Sequence, residues 1–312
     1  MAETDRRSAS APGSLMLLGE HAVLDGHPAV VAAINQRITV HVSRRADRDV
    51  GIVSGLGVFE GSLDALSRDP RFRFVHASLN RFWPNLDTGI LVEIESPLSA
   101  TKGFGTSAAV TVALMSALRS LAAITLPHRE QLQEALSVIH AVQGRGSGAD
   151  AAASLLGGIV EHRTAPLAAR VLNRDPLALT AVYCGYKTPT PEVIRLVQER
   201  FAERPADKAA LFQAMGALAS EGAKAFADKD LAAAGACMRQ SQTILDALGL
   251  STPELADILR LLEQSSAIDG AKISGSGLGD CAVGLGHTAG GVNGFETYHL
   301  EVDPKGCRDE TA

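Results

Sequence analysis

The chain has 312 residues and a formal net charge of −6, and its composition excludes several classes of protein. It is 46% hydrophobic and 21% charged, which is typical of a globular protein with a sizeable core. No block of Lys and Arg could displace counterions from a nucleic acid, so we expect no nucleic-acid partner.

The location of the protein is predicted from what the sequence lacks. The first ten residues, MAETDRRSAS, do not contain the apolar core of a signal peptide, and no apolar run is long enough to span a bilayer. The four cysteines show neither a C-x-x-C pair nor metal-binding spacing with His. We therefore expect a cytoplasmic protein with free thiols and no membrane partner.

The N-terminal segment predicts a charged turn between apolar strands. After a start that we expect to be frayed, residues 15–18 form a short apolar run typical of a buried strand. The run ends before Glu20 and His21, and it is followed by apolar residues 28–34 and an alternating strand over 37–43. Charge between apolar segments is costly unless it is paired or used. Glu20 and His21 are therefore either functional or part of a surface turn.

The next elements are two strands and two helices. Residues 50–62 and 89–96 have the character of strands, and the amphipathic segment from Phe74 to Trp83 predicts a helix between them. Its aromatic side chains favour a core role over base stacking. A further helix is predicted from Arg129 to Val142.

Residues 102–109, KGFGTSAA, are the stretch that most strongly indicates a binding site, and we call them the first glycine loop. The two glycines allow positive φ and a close approach of backbone to ligand. The loop opens onto the helix-forming run SAAVTVALMSALRSLAA, whose N-terminus would present unpaired N–H groups and the positive end of the helix dipole. An anion site is predicted here, although the loop taken alone also fits an ordinary N-cap.

A second glycine loop, residues 143–150, carries a single carboxylate. Its sequence, QGRGSGAD, follows the helix that ends at Val142, and Asp150 begins a helix of small residues. A carboxylate in the first turn of a helix is stabilised by the helix dipole without any catalytic role. Asp150 is therefore a catalytic candidate only in combination with the other loops.

From about residue 175 the chain changes from strand-rich to helix-rich. Residues 179–186 predict a strand, Lys187–Glu192 predict a loop and helix start, and YHLEV predicts a closing edge strand. Amphipathic helices are predicted over 191–202, 207–227, 229–247 and 252–266. Residues 275–280, GSGLGD, form a third glycine loop after a short strand. We predict two domains, 1–175 and 176–312.

Three of these segments, in this order, resemble the three signature motifs of the GHMP kinase superfamily. They are APG at 11–13 with GEHAVL at 19–24, the first glycine loop, and ISGSGLGDCA at 273–282. The set covers nearly the whole chain. The form GEHAVLDGHPAV is most similar to the mevalonate kinase branch, whereas QGRGSGADAAASLLGG is closer to the phosphomevalonate kinase form.

The resemblance implies an α+β, two-domain GHMP kinase fold. Its N-terminal domain would be similar to the second domain of ribosomal protein S5, and its C-terminal domain would be ferredoxin-like. ATP and Mg²⁺ would bind between them, although the first glycine loop is not a Walker A motif because no G-K-[ST] follows it. The implied reaction is transfer of the ATP γ-phosphate to the primary hydroxyl of mevalonate.

The resemblance also assigns roles to individual residues. Asp150 would orient or deprotonate the substrate hydroxyl, and Ser107 would help to hold Mg²⁺. The ATP-binding residues would be Gly103, Phe104, Gly105, Thr106, Ser107 and Ala108. Substrate contacts are expected from Glu20, His21, Thr188, Gly275, Ser276 and Gly277.

Three positions depart from the family pattern. Ser14 stands where these kinases usually carry a lysine near the catalytic Asp, Ile139 and His140 occupy the neighbourhood of a metal-binding Glu, and Asp280 replaces a small residue. Loss of the lysine removes a cation that would stabilise transition-state charge. Our hypothesis is that Lys102 or Lys187 supplies that cation, and we count both as catalytic candidates.

Several functions stay open on the sequence. Within the superfamily, phosphomevalonate kinase and a related sugar kinase are alternatives to mevalonate kinase. From a different class, the chain could be a catalytically impaired ligand-binding relative, although such a protein has no need of Asp150 and Ser107. The partner would be a small molecule, mevalonate or phosphomevalonate, and a homodimer is possible because relatives often form one.

Overall fold

The computed structural model describes residues 6–62, 69–82, 84, 86–97 and 102–311. The strands are β1 (Arg6–Leu18), β2 (Ala29–Arg44), β3 (Asp49–Ser54), β4 (Gly57–Ser62), β5 (Ile90–Glu95), β6 (Ile159–Thr164), β7 (Leu167–Asn173), β8 (Ala178–Tyr183), β9 (Ala271–Ser274), β10 (Cys281–Leu285), β11 (Glu296–Glu301) and β12 (Arg308–Asp309). The helices are α1 (Arg73–Phe82), α2 (Thr106–Leu121), α3 (His128–Gln143), α4 (Ala149–Leu156), α5 (Thr190–Arg200), α6 (Pro205–Asp228), α7 (Leu231–Leu248) and α8 (Pro253–Glu263).

The first sheet is built on two long antiparallel strands. In the described part of the chain it has the order β12-β1-β2-β5-β3-β4, and β6 pairs with β2 and then with β7. One end of β2 pairs with β6 and the other end pairs with β5, so β2 connects two halves of the sheet. From Arg6 onward the expected frayed start is wrong, because β1 begins there, and the two segments predicted after His21 form one continuous strand, β2.

The core of the first sheet lies beneath α2. This helix is apolar on almost every side, as expected for a buried helix, and it packs with α4 on β1 and β2. Helices α1 and α3 then pack against α2. Phe74 and Phe82 lie in this core, which confirms the core role of the aromatic residues, whereas Trp83 lies outside the described residues.

The second sheet is antiparallel, and its order in the described residues is β11-β8-β10-β9. Helices α7 and α8 pack on β9, and α8 also packs on β10. The helix starts follow ordinary capping: the side chain of Asp230 accepts from the Ala233 N–H before α7, and Thr252 accepts from the Leu255 N–H before α8. The edge strand predicted at YHLEV is confirmed as β11.

An apolar cluster joins the two sheets. It contains Leu17 and Val30 from the first sheet together with Leu179 and Val283 from the second, all of them fully buried. The C-terminal end of the chain then returns, because β12 pairs with β1. The chain passes from one sheet to the other between β7 and β8, close to residue 175, and the division into 1–175 and 176–312 stays a prediction.

None of the helices in the described residues is both long enough and apolar enough to cross a bilayer.

Candidate active site

A cleft of about 650 Å³ lies where the three glycine loops meet. Its volume is typical of a site for a small ligand. All six residues predicted to bind ATP line it: Gly103, Phe104, Gly105, Thr106, Ser107 and Ala108. Six of the other predicted site residues also line it: Glu20, His21, Asp150, Lys187, Gly275 and Ser276. The remaining three, Lys102, Thr188 and Gly277, lie around the cleft without lining it.

The first glycine loop presents a helix N-terminus to the cleft. Gly105 precedes α2 with a left-handed φ of 63°, and no side chain among the described residues caps this end of the helix. The N–H groups of Ala108 and Ala109 both donate to the Gly105 carbonyl at 3.0 Å, which leaves the N–H groups of Thr106 and Ser107 at the start of α2 for a ligand. Phe104 anchors the loop, because its fully buried ring packs edge-on against Tyr298 at 5.0 Å between centroids. A contact from Phe104 to a nucleotide would therefore come from its backbone.

Ser14 connects the first glycine loop to Asp150. Its hydroxyl donates to Asp150 Oδ1 at 2.7 Å, and its backbone N–H donates to the Phe104 carbonyl at 3.0 Å. A Cβ at Gly105 would lie 2.0 Å from Ser14 Oγ, so a larger residue cannot be accommodated without moving Ser14. At the position where relatives usually carry a lysine, this chain thus has a buried hydroxyl that orients the candidate catalytic carboxylate.

Two histidines hold the second glycine loop in front of α4. His140 Nε2 donates to the Gly146 carbonyl and His162 Nε2 donates to the Ser147 carbonyl, each at 2.8 Å. Burial lowers the pKa of His162, although its hydrogen bond to Ser147 and the charge of Asp150 oppose this shift. No sequence pattern connects His162 with this loop, because His162 lies on β6, after the loop and its helix.

Glu20 is paired with a lysine that the sequence did not single out. Lys272 on β9 is fully buried, and its ammonium group donates to Glu20 Oε1 and to the Ile273 carbonyl. Burial lowers the pKa of Lys272, and the Glu20 charge opposes that shift. Glu20 is 2% exposed, which excludes the surface turn. Its second oxygen, Oε2, is buried and has no hydrogen-bond partner among the described residues.

His21 is fixed at the edge of the same cleft. It has a left-handed φ of 56°, and its Nε2 donates to the Ser276 carbonyl of the third glycine loop at 2.8 Å. Burial lowers its pKa, and the hydrogen bond and the Glu20 charge only partly oppose this. His21 is therefore neutral at pH 7 and offers Nδ1 as an acceptor.

The two candidate lysines lie in different surroundings. The ammonium group of Lys187 is 3.1 Å from Asp280 Oδ1 at the cleft wall. That of Lys102 donates instead to the Glu296 carboxylate and the Tyr298 hydroxyl, each at 2.5 Å. The structure thus brings Lys187 and not Lys102 into the cleft with Asp150.

The remaining predicted residues support the loops. The Thr188 hydroxyl donates to the Leu278 carbonyl at 2.5 Å, which ties the loop after β8 to the third glycine loop. Gly277 has a φ of 82°, and a Cβ there would lie 2.7 Å from the Leu250 side chain. Both residues are thereby placed to shape the cleft wall.

The oxygen donors of the cleft fit a magnesium ion that arrives with a nucleotide. No cluster of three or more His, Cys, Asp or Glu side chains in the described ranges could hold a metal by itself. Mg²⁺, however, keeps several waters and uses phosphate oxygens together with only one or two protein groups. The hydroxyl of Ser107 and the carboxylate of Asp150 both line the cleft and could serve in that way.

An uncapped helix N-terminus and a carboxylate, Asp150, that Ser14 orients in the same cleft define a site for phosphoryl transfer to a small molecule. The comparisons with known proteins agree with this class. The family model "GHMP kinases N terminal domain" matches residues 72–158, and "GHMP kinases C terminal" matches residues 223–293. A third model, "Galactokinase galactose-binding signature", matches residues 2–44.

Curated relatives cover most of the chain. The mevalonate kinase of Archaeoglobus fulgidus is 34% identical over 89% of this chain and 91% of its own length. That of Pyrococcus furiosus is 30% identical over 89% of this chain and 88% of its own length. The chain belongs to the GHMP kinase family, as its motifs predicted.

The fold is also found among solved structures. The crystal structure of L. major mevalonate kinase in complex with R-mevalonate matches with a TM-score of 0.77 and 22% identity, covering 95% of this chain and 96% of that one. The predicted α+β, two-domain GHMP kinase fold is thereby confirmed.

Proposed function

We propose that this protein is an ATP-dependent mevalonate kinase that transfers the γ-phosphate to the primary hydroxyl of mevalonate. One observation carries the proposal: Ser14 joins the first glycine loop to Asp150 within a single cleft, with 2.7 Å between Ser14 Oγ and Asp150 Oδ1. The curated relatives at about 30% identity are named mevalonate kinases, which supports this acceptor.

The nucleotide phosphates bind, in this proposal, at the N-terminus of α2. Backbone N–H groups from Gly105 to Ser107 and the helix dipole stabilise their negative charge. The Ser107 hydroxyl would help to hold Mg²⁺, which would supply neutralisation of the charge that develops on the transferred group.

Asp150 acts on the acceptor hydroxyl. The hydrogen bond from Ser14 fixes one carboxylate oxygen and leaves the other to orient or deprotonate that hydroxyl. Lys187 supplies a cation at the same cleft, and it is the better candidate of the two lysines because Lys102 is engaged by Glu296 and Tyr298.

The acceptor itself contacts Glu20 and His21. Glu20 Oε2 is buried at the cleft without a partner in the described residues, and such an atom is costly unless a ligand donates to it. We propose that a hydroxyl of the substrate donates a hydrogen bond to Glu20 Oε2. His21 Nδ1 would accept a second hydrogen bond from the substrate.

Two specific observations favour other phosphoryl acceptors as alternatives to mevalonate. The sequence of the second glycine loop resembles the phosphomevalonate kinase form, and residues 2–44 match the galactose-binding signature of galactokinases. A phosphorylated or a sugar acceptor would use the same Asp150. An impaired, ligand-binding relative would bind ATP without releasing ADP.

The test is ADP release by the purified protein with ATP and Mg²⁺. The acceptors are mevalonate, 5-phosphomevalonate and galactose, and the matched control is Asp150→Asn, which keeps the size of the side chain. We expect the highest kcat/KM with mevalonate and a loss of about 10²- to 10⁴-fold in kcat for Asp150→Asn with ATP affinity retained. Higher kcat/KM with another acceptor would replace the proposal, and no ADP with any acceptor would leave only the ligand-binding alternative.

A cytoplasmic location and a homodimeric assembly belong to this proposal as well. The first is supported by the sequence features described above, and gel filtration with light scattering tests the second.

A further inference from the structure

Asp280 is the residue of the third glycine loop that departs from the family pattern, and its backbone is unusual. It adopts a left-handed φ of 63°, which residues with a side chain rarely adopt and which concentrates at functional sites. Two hydrogen bonds hold it there: its N–H donates to the Tyr186 carbonyl at 2.9 Å, and its carbonyl accepts from the Cys184 N–H at 3.0 Å. The conformation is therefore held by the segment that follows β8.

This backbone directs the carboxylate onto the first glycine loop. Asp280 is 5% exposed, and a Cβ at Gly103 would lie 3.0 Å from Asp280 Cβ and Cγ. The carboxylate thus lies against the backbone on which we propose that the ATP phosphates bind. An uncompensated negative charge at that point would oppose phosphate binding.

Lys187 compensates this charge. Its ammonium group is 3.1 Å from Asp280 Oδ1, and its side chain is 38% exposed at the cleft, whereas that of Asp280 is 8% exposed. The loop after β8 carries Lys187, and it is held to the third glycine loop by the hydrogen bond from the Thr188 hydroxyl to the Leu278 carbonyl. Both residues line the cleft, and the ammonium group is the more exposed end of the pair.

The other lysines near the loops are committed elsewhere. Lys102 pairs with Glu296, and Lys272 is fully buried against Glu20. The position where relatives usually carry a lysine holds Ser14, whose hydroxyl is bonded to Asp150. Arg73 also lines the cleft, but it lies on α1, where its guanidinium is 5.3 Å from the centroid of the Phe74 ring.

We propose that Asp280 is a positioning residue that holds the Lys187 ammonium over the first glycine loop, and that this pair replaces the cation missing at Ser14. The inference rests on the proposed function for the identity of the nucleotide. It adds a role for Asp280 that acts through Lys187: the carboxylate does not touch the nucleotide, and it fixes the cation that does.

The test is a double-mutant cycle on MgATP binding, measured by titration calorimetry without acceptor. Lys187→Met should weaken binding by about tenfold, as loss of a charge-assisted hydrogen bond does. Asp280→Asn should weaken binding severalfold in the wild-type background, because its effect passes through the lysine. In the Lys187→Met background it should not weaken binding, because the carboxylate is then uncompensated and itself opposes phosphate. Lys187→Arg should retain most of the affinity only while Asp280 is present.

Two further variants control for folding and for charge. Asp280→Gly suits the left-handed backbone, so it should fold at least as well as wild type and bind MgATP as weakly as Asp280→Asn. Asp175→Asn removes a carboxylate from an exposed pair, 2.6 Å from Lys229, and should leave MgATP affinity within about twofold.

Two results would overturn the inference. Equal weakening by Asp280→Asn in both backgrounds would mean that the carboxylate acts directly, for example on a metal. Tighter MgATP binding by Asp280→Asn in the wild-type background would mean that the carboxylate only repels phosphate. Because the cycle needs no turnover, a wild type that binds MgATP without releasing ADP would contradict the proposed function and leave this inference intact.

Discussion

Lys272 and Glu20 show how much one residue pair contributes to this site. The two are 252 positions apart in sequence, and both side chains are at most 1% exposed. A buried charge without its partner is strongly destabilising, while a well-formed pair is close to neutral relative to apolar residues. The pair therefore fixes the turn that carries Glu20 and His21 at the cleft.

Lys272→Met should lower the free energy of unfolding by about 3–5 kcal/mol, because Glu20 is then buried without a counter-charge. The double variant Lys272→Met/Glu20→Leu should recover part of that loss. Urea unfolding of both variants measures the difference. A single variant within about 1 kcal/mol of wild type would contradict the role that we give to the pair.

Buried histidines make stability depend on pH. Burial lowers the pKa of His21, His76 and His162 from the ordinary value of 6.5. The unfolded chain then binds more protons than the folded one below pH 6.5, so the stabilisation is complete above 6.5 and is lost as the pH falls. Each histidine can contribute up to about 1.4 kcal/mol per pH unit in that range.

The free energy of unfolding should thus fall between pH 7.5 and pH 5.5, as measured by urea unfolding at several pH values. His162→Gln keeps a donor for the Ser147 carbonyl and should make the dependence shallower. A profile that is flat over this range, or that rises as the pH falls, would show that these histidines are protonated in the folded protein.

The first glycine loop and α2 act as one element. Gly105 needs both a left-handed φ of 63° and the absence of a Cβ, since Ser14 Oγ occupies that space. Gly294 has a similar φ of 85° in an open turn, where no heavy atom lies within 4 Å of an added Cβ. Substitutions at the two positions therefore share the cost of the left-handed backbone, and only the one at Gly105 adds a clash with Ser14.

Gly105→Ala should weaken MgATP binding by at least about tenfold, because Ser14 must move and the N–H groups of α2 lose their alignment. Gly294→Ala should cost only about 1–2 kcal/mol of stability from the backbone and leave MgATP affinity unchanged. Calorimetric titration of both variants gives the comparison. Equal MgATP affinity in the two variants would show that the loop does not bind phosphate through its backbone.

Helices with a clear apolar periodicity and a glycine directly before them could be predicted from the sequence, whereas polar or partly exposed strands could not. Helices α2 and α4 begin next to Gly105 and Gly148, close to the predicted positions. Strand β7 escaped prediction because none of its residues is fully buried. The first half of β1 was taken for a frayed end because it is polar, yet Ser8 bonds His41 at 2.7 Å and Ser10 bonds Glu310 at 2.6 Å.

The site as a whole depends on contacts that sequence cannot supply. Twelve of the fifteen predicted site residues line the cleft, but the sequence did not indicate that Ser14 would bond Asp150 or that Lys102 would pair with Glu296. These contacts join residues 136 and 194 positions apart in the sequence, so they follow from the tertiary fold. The resemblance to the GHMP kinases identified the motifs and their order, whereas the side chains that contact the motif residues are seen only in the structure.

At the scale of the whole molecule, the shared apolar cluster and the return of β12 to β1 join the two halves. We expect one cooperative thermal transition, which MgATP at 100 times its dissociation constant stabilises by about 2.7 kcal/mol, a rise of several degrees. Differential scanning calorimetry measures it, with Gly105→Ala as the variant that should show a smaller rise. Two separate transitions would contradict this coupling.

The central claim is that the N-terminus of α2 binds the ATP phosphates and directs the γ-phosphate to a hydroxyl beside Asp150. A crystal structure of the protein with Mg²⁺, a non-hydrolysable ATP analogue and mevalonate tests it most directly. We predict phosphate oxygens within about 3 Å of the N–H groups of residues 105–107, and the primary hydroxyl within hydrogen-bond reach of Asp150 and in line with the γ-phosphate. Phosphates bound elsewhere, or an acceptor hydroxyl out of reach of Asp150, would contradict the account.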